Sequence, residues 1–434
     1  MNPSTVRLSR FSKHAARAAA AVCVIGASGF LACGPSRSTL GDEPDAGNLI
    51  ACQTKDCDND GYIPPEDCND FDPKVNPEAY DFPDDGVDND CDGTIDNPVV
   101  SCESIPATAP GTPADFGRAA DLCPQRTKTR TGSVIDPLIR AEWGSVRGLG
   151  PGQRLWISET KMEQVNIVSG FGENKARRGL TMFGLSTGPW GAKNPRESLP
   201  LDPTAPQTFH INDGCAAIPL VPRDCVSLSA GSPAGGVNVQ DYAELKLWVK
   251  APMNAGAVVF DYAFFSTEFN QFWRASLNDA FFVLVTSSRT AGENVARDSL
   301  GLGMSVNSSF FTVCAKPPGP PGLSADKSAA LADCVGTDGD PAKSVFGTLK
   351  GTAYDGAHSP PGDGTALSAD GTKTYVYGGG SGWLTARFPV TPGEQFIMRM
   401  MIMDTFDGRK DSTVLVDNMR FEKFVADSTV NRPK

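Results

Sequence analysis

The chain has 434 residues, 40% of them hydrophobic, and a formal net charge of −12 at pH 7. This charge is concentrated in residues 42–96, which contain fifteen Asp, three Glu and two Lys and sum to −16, while the first 33 residues sum to +4. Acidity is therefore local rather than a general aid to solubility. No basic patch predicts nucleic-acid binding, and the length allows several domains or one large β domain with attachments.

The N-terminal segment has the pattern of an export signal. A basic region precedes an Ala-rich apolar run over residues 18–32, which is too short for a typical membrane span. The run ends in Phe-Leu-Ala-Cys-Gly, which resembles a bacterial lipobox with Cys33 as the lipidation site. We expect a lipoprotein signal peptide over residues 1–33, a flexible tether over 34–51, and an outer-membrane or cell-surface location through the lipid. Ordinary cleavage near Ala32 would instead give an extracellular product.

Residues 52–97 form an Asp-rich segment, here called the loop module, in which carboxylates recur on alternate residues before a glycine. Short loops with this pattern wrap oxygen atoms around a hard cation. The first loop follows the twelve-residue calcium-loop template throughout, with Gly61 at the sharp turn. The predicted metal ligands of both loops are Asp56, Asp58, Asp60, Tyr62 (backbone carbonyl), Asp67, Asp88, Asp90, Asp92, Thr94 and Asp96.

The second loop lacks part of the template. Gly93 is at the sharp turn, but Val99 stands at position twelve, where the template has a carboxylate. The closing ligand must then come from elsewhere, and three acidic residues are candidates: Glu78, Asp84 and Asp85.

Calcium is the predicted cofactor of the loop module, because all its candidate ligands are oxygen atoms and no His lies between His14 and His210. The module has few apolar residues, so its folded form should depend on metal and disulfides. Pro64 and Pro65 prevent a helix from following the first loop directly. The alternative is an acidic, disordered linker.

Ten cysteines remain when Cys33 and the cysteine of the signal are set aside, and an even number in an exported chain predicts disulfides. Cys215–Cys225 and Cys314–Cys334 are the predicted local pairs. Six cysteines allow fifteen pairings, among which the sequence does not choose: Cys52, Cys57, Cys68, Cys91, Cys102 and Cys123. A thiolate zinc site is the rival hypothesis, although C-x-x-C spacing and His partners are missing.

Four motifs of the loop module, C-D-N-D-G-Y, D-C-N-D, P-E-A and D-G-V-D-N-D-C-D-G, resemble the MopE-type metal-binding motif. That motif is common in exported proteins of bacteria such as myxobacteria, and the residues are also similar to thrombospondin type 3 calcium repeats. The resemblance covers about residues 52–97 and implies a metal-binding module. The family name carries an association with copper, which these ligands do not favour.

Residues 98–129 are predicted to be a linker or an entry strand, and residues 130–425 have the pattern of a β domain. Runs of strand length with β-branched and aromatic residues occur at residues 243–249, 258–265, 280–285, 395–403 and 412–421. Long amphipathic helices are scarce. The predicted fold is mainly β, an antiparallel and jelly-roll-like β-sandwich preceded by the small, metal- and disulfide-stabilised loop module.

The β domain resembles the choice-of-anchor L domain over about residues 130–424. The motifs that carry the resemblance are G-L-S-T-G (184–188), F-D-Y-A-F-F-S-T-E-F (260–269), L-N-D-A-F-F (277–282), S-V-N-S-S-F-F-T-V-C (305–314), G-G-S-G-W-L (379–384), P-V-T-P-G-E (389–394) and D-S-T-V-L-V-D-N-M-R-F (411–421). The resemblance implies an extracellular β-rich domain beside a surface-anchoring device, with no defined activity. A lipid on Cys33 would be that anchor.

Catalytic motifs are weak in this sequence. Ser186 lies in a G-x-S-x-G pattern, but a nucleophile elbow needs a helix after the serine, and Pro189 follows instead. Only His210 and His358 could serve as its base in the mature chain. We therefore expect a turn after a strand at Ser186, and a glycine-rich turn rather than a phosphate loop at residues 378–382.

Carboxylates near the last two strands form a candidate second calcium site: Asp404, Asp407 and Asp411. The Asp-Gly pair at residues 407–408 is interpreted first as the turn of a hairpin between those strands. Three further residues are candidate ligands by the same logic, although polar roles in turns are favoured for them: Glu268, Asn278 and Asp279.

The sequence thus predicts a non-catalytic, exported, lipid-anchored surface protein with a calcium-binding module and a sandwich used for display or adhesion. Its expected partners are the membrane, through the lipid, and an unidentified protein or glycan. The alternatives are a secreted hydrolase or carbohydrate-binding protein that uses the sandwich surface, and a copper-handling protein.

Overall fold

A computed structural model describes residues 52–83, 85–97, 102, 111–124, 136–149, 155–190, 239–268, 279–298, 303–314, 343–344, 347–352, 354, 378–405, 411–424 and 427–432. These residues belong to one compact unit, Cys52–Lys434. Several predicted features lie outside the described residues: Cys33, Asp84, His210, Cys215, Cys225, Asn278, Cys334, His358 and Asp407.

The described residues form one α-helix, one 3-10 turn and eighteen strands. The helix is α1 (Pro113–Ala119), and the 3-10 turn is Met162–Gln164. The strands are β1 (Leu138–Trp143), β2 (Ser145–Leu149), β3 (Leu155–Glu159), β4 (Val165–Val168), β5 (Gly170–Phe171), β6 (Asn174–Lys175), β7 (Met182–Ser186), β8 (Val239–Lys250), β9 (Ala257–Ser266), β10 (Ala280–Thr286), β11 (Glu293–Asn294), β12 (Val313–Cys314), β13 (Lys343–Ser344), β14 (Gly347–Thr348), β15 (Gly379–Pro389), β16 (Gln395–Thr405), β17 (Ser412–Glu422) and β18 (Thr429–Asn431).

Two antiparallel sheets build the domain. The smaller has the order β1-β8-β16-β10-β11, and the larger has the order β12-β15-β9-β17-β7-β4, with β18 paired to β15. Three two-stranded ribbons accompany them: β2-β3, β5-β6 and β13-β14. All five strands predicted from the sequence lie within β8, β9, β10, β16 and β17. The predicted mainly β, antiparallel sandwich is confirmed.

The core lies between the two sheets. Leu245, Leu247 and Val249 alternate along β8 and are fully buried, because alternate residues of a strand point to the same face. Tyr262 of β9 meets Phe281 of β10 across the sheets, with ring centroids 5.5 Å apart. Burying such apolar surface, at about 25 cal/mol per Å², is the main force that holds the sheets together.

The last two long strands correct one expectation. The Asp-Gly pair at residues 407–408 was predicted as a hairpin turn, but β16 pairs with β8 and β10 whereas β17 pairs with β7 and β9. The hairpin is therefore wrong, since the connection crosses from one sheet to the other. Both strands contain runs of consecutive apolar, buried residues, and such runs identify strands without identifying their partners.

The glycine run at residues 378–382 corrects a second expectation, that of a glycine-rich turn. The predicted turn is wrong, because Gly379 begins strand β15, which pairs with β9 and carries an irregularity between Gly380 and Trp383. A Cβ at Gly380 would lie 2.9 Å from the backbone oxygen of Phe264. Glycine is needed here because two backbones approach closely.

The structure differs from the predicted linker over residues 98–129, where it has the helix α1. Phe116 of this helix is buried and contacts the rings of Trp143 and Phe183 edge-on. The helix therefore closes one part of the sandwich core. Among the described residues, no helix has the length and apolar composition needed to cross a membrane.

Candidate metal centre

The first loop folds by turning its carboxylates onto its own backbone. The Gly61 N–H donates to Asp56 Oδ2 at 2.9 Å. The Asp60 N–H donates to Asp58 Oδ1 at 3.2 Å, and the Tyr62 N–H donates to Asp60 Oδ1 at 2.8 Å. Gly61 has φ of 99°, a left-handed conformation that glycine adopts without a steric penalty. The alternating Asp residues are thereby fixed around the loop interior.

The second loop repeats the same hydrogen bonds at the same positions. The Gly93 N–H donates to Asp88 Oδ2 at 2.9 Å, and Gly93 has φ of 94°. The Asp92 N–H donates to Asp90 Oδ1 at 3.2 Å, and the Thr94 N–H donates to Asp92 Oδ1 at 2.7 Å. The D-x-D-x-D-G sequence has therefore produced the same local structure twice.

The carboxylates of both loops converge. Three oxygens, one from each residue of a group, lie within 4.8 Å of one another in three groups: Asp56, Asp58 and Asp70; Asp58, Asp60 and Asp67; and Asp88, Asp90 and Asp92. Asp58 belongs to both groups of the first loop. Seven predicted ligands are brought together in this way, while the ligand roles of Tyr62, Thr94 and Asp96 stay predictions.

Asp70 is a candidate ligand that sequence reasoning missed. It is buried, and its Oδ1 accepts a hydrogen bond from the Cys57 N–H at 3.1 Å, which turns the side chain toward the first loop. It lies three residues after Asp67, the closing residue of the template. Turns often bring residues at this spacing to one side, and that was the available signal.

Two carboxylates hold the ends of the second loop through hydrogen bonds to backbone N–H groups. Buried Asp81 accepts hydrogen bonds from the N–H groups of Asn89, at 3.1 Å, and Asn97. Asp96 Oδ1 accepts from the N–H groups of Asp85 and Gly86, both at 2.9 Å. Asp81 was not among the residues predicted from the sequence, yet it binds the backbone of the second loop at Asn89 and of the following residue Asn97. Asp96 holds Asp85 and Gly86, the residues that precede the second loop.

Burial and mutual repulsion destabilise the charged form of these carboxylates, and a nearby positive charge would stabilise it. Burial, followed by the charges of Asp60 and Asp58, raises the pKa of Asp67 to about 6. Burial and the neighbouring Asp92 raise the pKa of Asp90 to about 7. Two like charges 4 Å apart near a protein surface repel by about 4 kcal/mol. A bound divalent cation would reverse this cost.

Three disulfides are present among the described cysteines: Cys52–Cys57, Cys68–Cys91 and Cys102–Cys123. The pair Cys68–Cys91 joins the two loops, with the Cα atoms 5.5 Å apart. The predicted disulfide stabilisation of the loop module is confirmed. The rival zinc hypothesis is wrong for these six cysteines, because a disulfide sulfur is no longer a thiolate ligand.

The loop module is docked on the sandwich. The side-chain amide of Asn254 accepts from the Tyr80 N–H at 2.8 Å and donates to the backbone oxygens of Tyr80, at 2.8 Å, and Lys74, at 3.2 Å. Phe82 belongs to the sandwich core, and Tyr80 meets Phe421 of β17 at 5.8 Å between ring centroids. The module thus shares the core of the β domain.

Two ion pairs lie at this contact. Lys250 Nζ is 3.5 Å from Glu78 Oε2, and Lys423 Nζ is 3.1 Å from Asp85 Oδ2. The carboxylates of Glu78 and Asp85, both proposed from the sequence to close the second loop, therefore contact lysines of the sandwich.

Asn89 connects the second loop to the docked segment. It lies between the candidate ligands Asp88 and Asp90 and is buried. Its side-chain Oδ1 accepts from the Phe82 N–H at 3.1 Å, and its backbone oxygen accepts from the Asn76 N–H at 2.9 Å. A fixed conformation of the second loop therefore also fixes Phe82 and Asn76, in the segment that contacts the sandwich.

The other candidate sites lie in the sandwich. Ser186 ends β7 and is buried, and its hydroxyl donates to the backbone oxygen of Ser412 at 3.1 Å. Asp404 and Asp411 are also buried, at one end of the sandwich. Within the described residues they belong to no convergent group of the kind found in the loops.

Comparisons with known proteins agree with the loop geometry. Residues 67–97 match the family described as "Putative metal-binding motif" (Cu-binding MopE). The predicted MopE-type motif is thereby confirmed over these residues, which contain the second loop and Asp67 of the first. No curated protein and no solved structure matches the chain. The choice-of-anchor L resemblance stays a prediction.

Proposed function

We propose that the protein is an exported, lipid-anchored surface protein whose loop module binds Ca²⁺ and braces a non-catalytic β-sandwich used for display or adhesion. The observation that carries the proposal is the set of buried carboxylate oxygens that lack a hydrogen-bond partner within the described residues: Asp58 Oδ2, Asp60 Oδ2, Asp67 Oδ2 and Asp70 Oδ2. Buried oxygens of this kind are rarely left without a partner. All four belong to the convergent groups of the first loop.

Calcium fits these ligands better than copper or zinc. The convergent atoms are carboxylate oxygens, and Ca²⁺ takes six to eight oxygen ligands in an irregular shell, whereas copper and zinc favour nitrogen and sulfur. No described residue is a histidine, and the module cysteines are oxidised. The copper association of the matching family therefore finds no preferred copper ligand among these residues.

Calcium would act by converting the module into a rigid brace. Cancelling the repulsion between carboxylates stabilises each closed loop, and binding free energy becomes folding free energy when the empty site is disordered. Asn89 transmits the order of the second loop to Phe82 and Asn76. Calcium would thereby hold Tyr80 and Phe82 against the sandwich.

The disulfides support export of the protein, and the lipobox-like sequence supports its anchoring by a lipid. Three disulfides in one chain are typical of an oxidising compartment outside the cytoplasm. Cys33 lies in a lipobox-like sequence, and the polar residues 34–51 suit a flexible tether between a lipid and a folded domain. An unidentified protein or glycan would be the partner of the displayed sandwich.

The metal part of the proposal is tested by calorimetric titration of the full chain with Ca²⁺. We expect saturable binding that weakens about tenfold or more in Asp58→Asn and in Asp90→Asn, because each loses a central carboxylate. The matched control is Asp72→Asn, which removes a carboxylate of the same module outside the convergent groups and should titrate as wild type. Equal titrations for all three variants, or displacement of calcium by equimolar copper, would contradict the proposal.

The anchoring part is tested separately in cells. We expect a radiolabelled fatty acid to be incorporated into the wild type and not into Cys33→Ser. The wild type should fractionate with membranes, and the variant should be lost from them. An unlabelled wild type in the soluble fraction would argue for a fully secreted protein.

A further inference from the structure

A disulfide joins the two loops at their candidate ligands. Cys68 directly follows Asp67, the closing residue of the first loop. Cys91 lies between Asp90 and Asp92 of the second loop, and the two cysteines are bonded with their Cα atoms 5.5 Å apart. The Cys68 N–H also donates to Cys91 Sγ at 3.0 Å. The bridge therefore connects the two loops beside a carboxylate of each.

Each cysteine of the bridge lies inside a turn that a candidate ligand closes. Asp67 Oδ1 accepts from the Asn69 N–H at 2.8 Å, which encloses the first cysteine. Asp90 Oδ1 accepts from the Asp92 N–H at 3.2 Å, which encloses the second. A carboxylate bonded to the N–H two residues further on holds the residue between them. The position of either carboxylate therefore fixes the position of its cysteine.

The backbone of the second loop needs support at its cysteine. Cys91 has φ of 57°, in the left-handed region that residues other than glycine seldom adopt. Such a conformation persists only where surrounding contacts enforce it. The bridge provides one of these contacts, and Cys68 Sγ lies 3.5 Å from the backbone oxygen of Asp88. The second loop thus depends on where the first loop places Cys68.

The carboxylates that hold these turns also belong to the candidate cation sites. Asp67 Oδ2 is buried without a hydrogen-bond partner within the described residues, and the Asp67 carboxylate converges with those of Asp58 and Asp60. Asp90 is buried and belongs to the convergent group of the second loop. A cation at either group would fix the carboxylate, then the turn, and then the bridged cysteine.

We propose that the Cys68–Cys91 bridge couples the two loops, so that a divalent cation in one loop raises the affinity of the other. The inference rests on the proposed calcium binding and adds how the two sites regulate each other. A cation in the first loop fixes Asp67 and Cys68, and the bridge then holds Cys91 in the conformation that the second loop requires. The second cation meets a loop that is already ordered, which gives positive cooperativity. Because a coupling free energy is reciprocal, a cation in the second loop favours the first by the same factor.

Two glycine amides can follow the loops separately in the full-length protein. The N–H groups of Gly61 and Gly93 each donate to the first carboxylate of their own loop, at 2.9 Å. Their NMR signals should therefore shift when that loop binds calcium. The variant Asp58→Asn/Asp60→Asn removes two ligands of the first loop, so Gly93 then reports the second loop while the first is empty.

We expect this first-loop variant to raise the calcium midpoint of Gly93 about tenfold when the bridge is intact. In the Cys68→Ser/Cys91→Ser background, which keeps every charge, the same change should move the midpoint by less than about twofold. The matched control is Cys102→Ser/Cys123→Ser, because that disulfide has a sequence separation of 21 against 23 and lies outside the loops. In the control background the full shift should remain.

The possible failures can be told apart. A Gly93 midpoint that does not change in the first-loop variant overturns the coupling. An equal shift with and without the bridge overturns the role of the disulfide and, with it, the proposal. If Gly61 and Gly93 of the wild type both fail to respond to calcium, the proposed calcium binding falls together with the coupling. Two responses that are independent of each other overturn the coupling alone.

A second measurement does not require the serine variants to fold. Asp90→Asn/Asp92→Asn disables the second loop and leaves the bridge intact. Calcium that fills the first loop should then shift the Cys91 amide signal with the same midpoint as the Gly61 signal, because the bridge carries the displacement into the second loop. A Cys91 signal that calcium leaves unchanged overturns the proposal.

Discussion

The sandwich and the loop module are held together by different forces. In the sandwich, large rings such as those of Tyr262 and Phe281 are fully buried between the sheets. In the module, Phe71 is 48% exposed and Ile95 is 61% exposed. Disulfides and Asp-to-backbone hydrogen bonds hold the module instead, and carboxylates at its centre repel each other. Burial of apolar side chains is sufficient to stabilise the sandwich, but it is not sufficient to stabilise the loop module.

This difference explains why the module is docked rather than separate. A segment with so little apolar surface cannot form its own core, so Tyr80 and Phe82 use the core of the sandwich. The module thus depends on its neighbour for a core, whereas the sandwich has a core of its own. We expect the two regions to respond differently to the same kind of change.

The largest expected effect on stability comes from truncating one aromatic side chain in the sandwich, and it is compared with the same truncation in the loop module. Phe281→Ala removes a fully buried ring that contacts Tyr262 across the sheets and should destabilise the protein by about 3–5 kcal/mol. Phe71→Ala removes a half-exposed ring of the module and should change stability by less than about 0.5 kcal/mol. Both are measured by denaturant unfolding in saturating calcium. Equal losses would mean that the module has a core of its own.

The strands could be predicted from the sequence because each is specified locally. Residues 258–265 and 280–285 are apolar runs of strand length, and both are strands in the structure. The partners of β16 and β17 could not be predicted, since two strands that follow each other in sequence pair with others in different sheets. The helix α1 was missed because seven residues give too little periodicity to recognise.

The loops could be predicted for the same local reason, because the template spaces its ligands within twelve residues. Asp70 and Asp81 were missed because they reach the loops from outside this template. The docking of the module was also missed. Tyr80 and Asn254 are 174 residues apart, and no local pattern records that contact.

An intermediate effect is expected from the contact that joins the regions. Asn254→Ala leaves the partly buried N–H and C=O groups of Tyr80 without their partner and should cost about 2 kcal/mol. It should also increase amide hydrogen exchange around Tyr80 and Phe82 while the sandwich strands stay protected. The control is Lys250→Met, which removes the neighbouring surface ion pair with Glu78 and should cost less than about 1 kcal/mol. Uniform exchange across both regions in Asn254→Ala would show that they unfold as one unit.

The smallest expected effect is a pH dependence that belongs to the sandwich and not to the cation loops. Burial, followed by the charge of Asp121, raises the pKa of Asp417 to about 7, although the N–H groups of Arg177, Asn418 and Arg178 oppose the shift. The folded state then holds a proton that the unfolded state, with an ordinary carboxyl pKa near 4, has already released. This contribution to stability is complete below about pH 4 and is lost as the pH rises through 7.

Between pH 5.5 and 6.5 the contribution of Asp417 to unfolding free energy should therefore fall by about 1 kcal/mol. Asp417→Asn has no proton to release and should remove this slope, so the difference between wild type and variant reports Asp417 together with its interaction with Asp121. The measurement is urea unfolding of both proteins at each pH in saturating calcium. Because the loop carboxylates are identical in the two proteins, their titration cancels in the difference. A difference that stays constant with pH would mean that Asp417 is ionised in the folded protein, stabilised by the surrounding N–H groups and arginines.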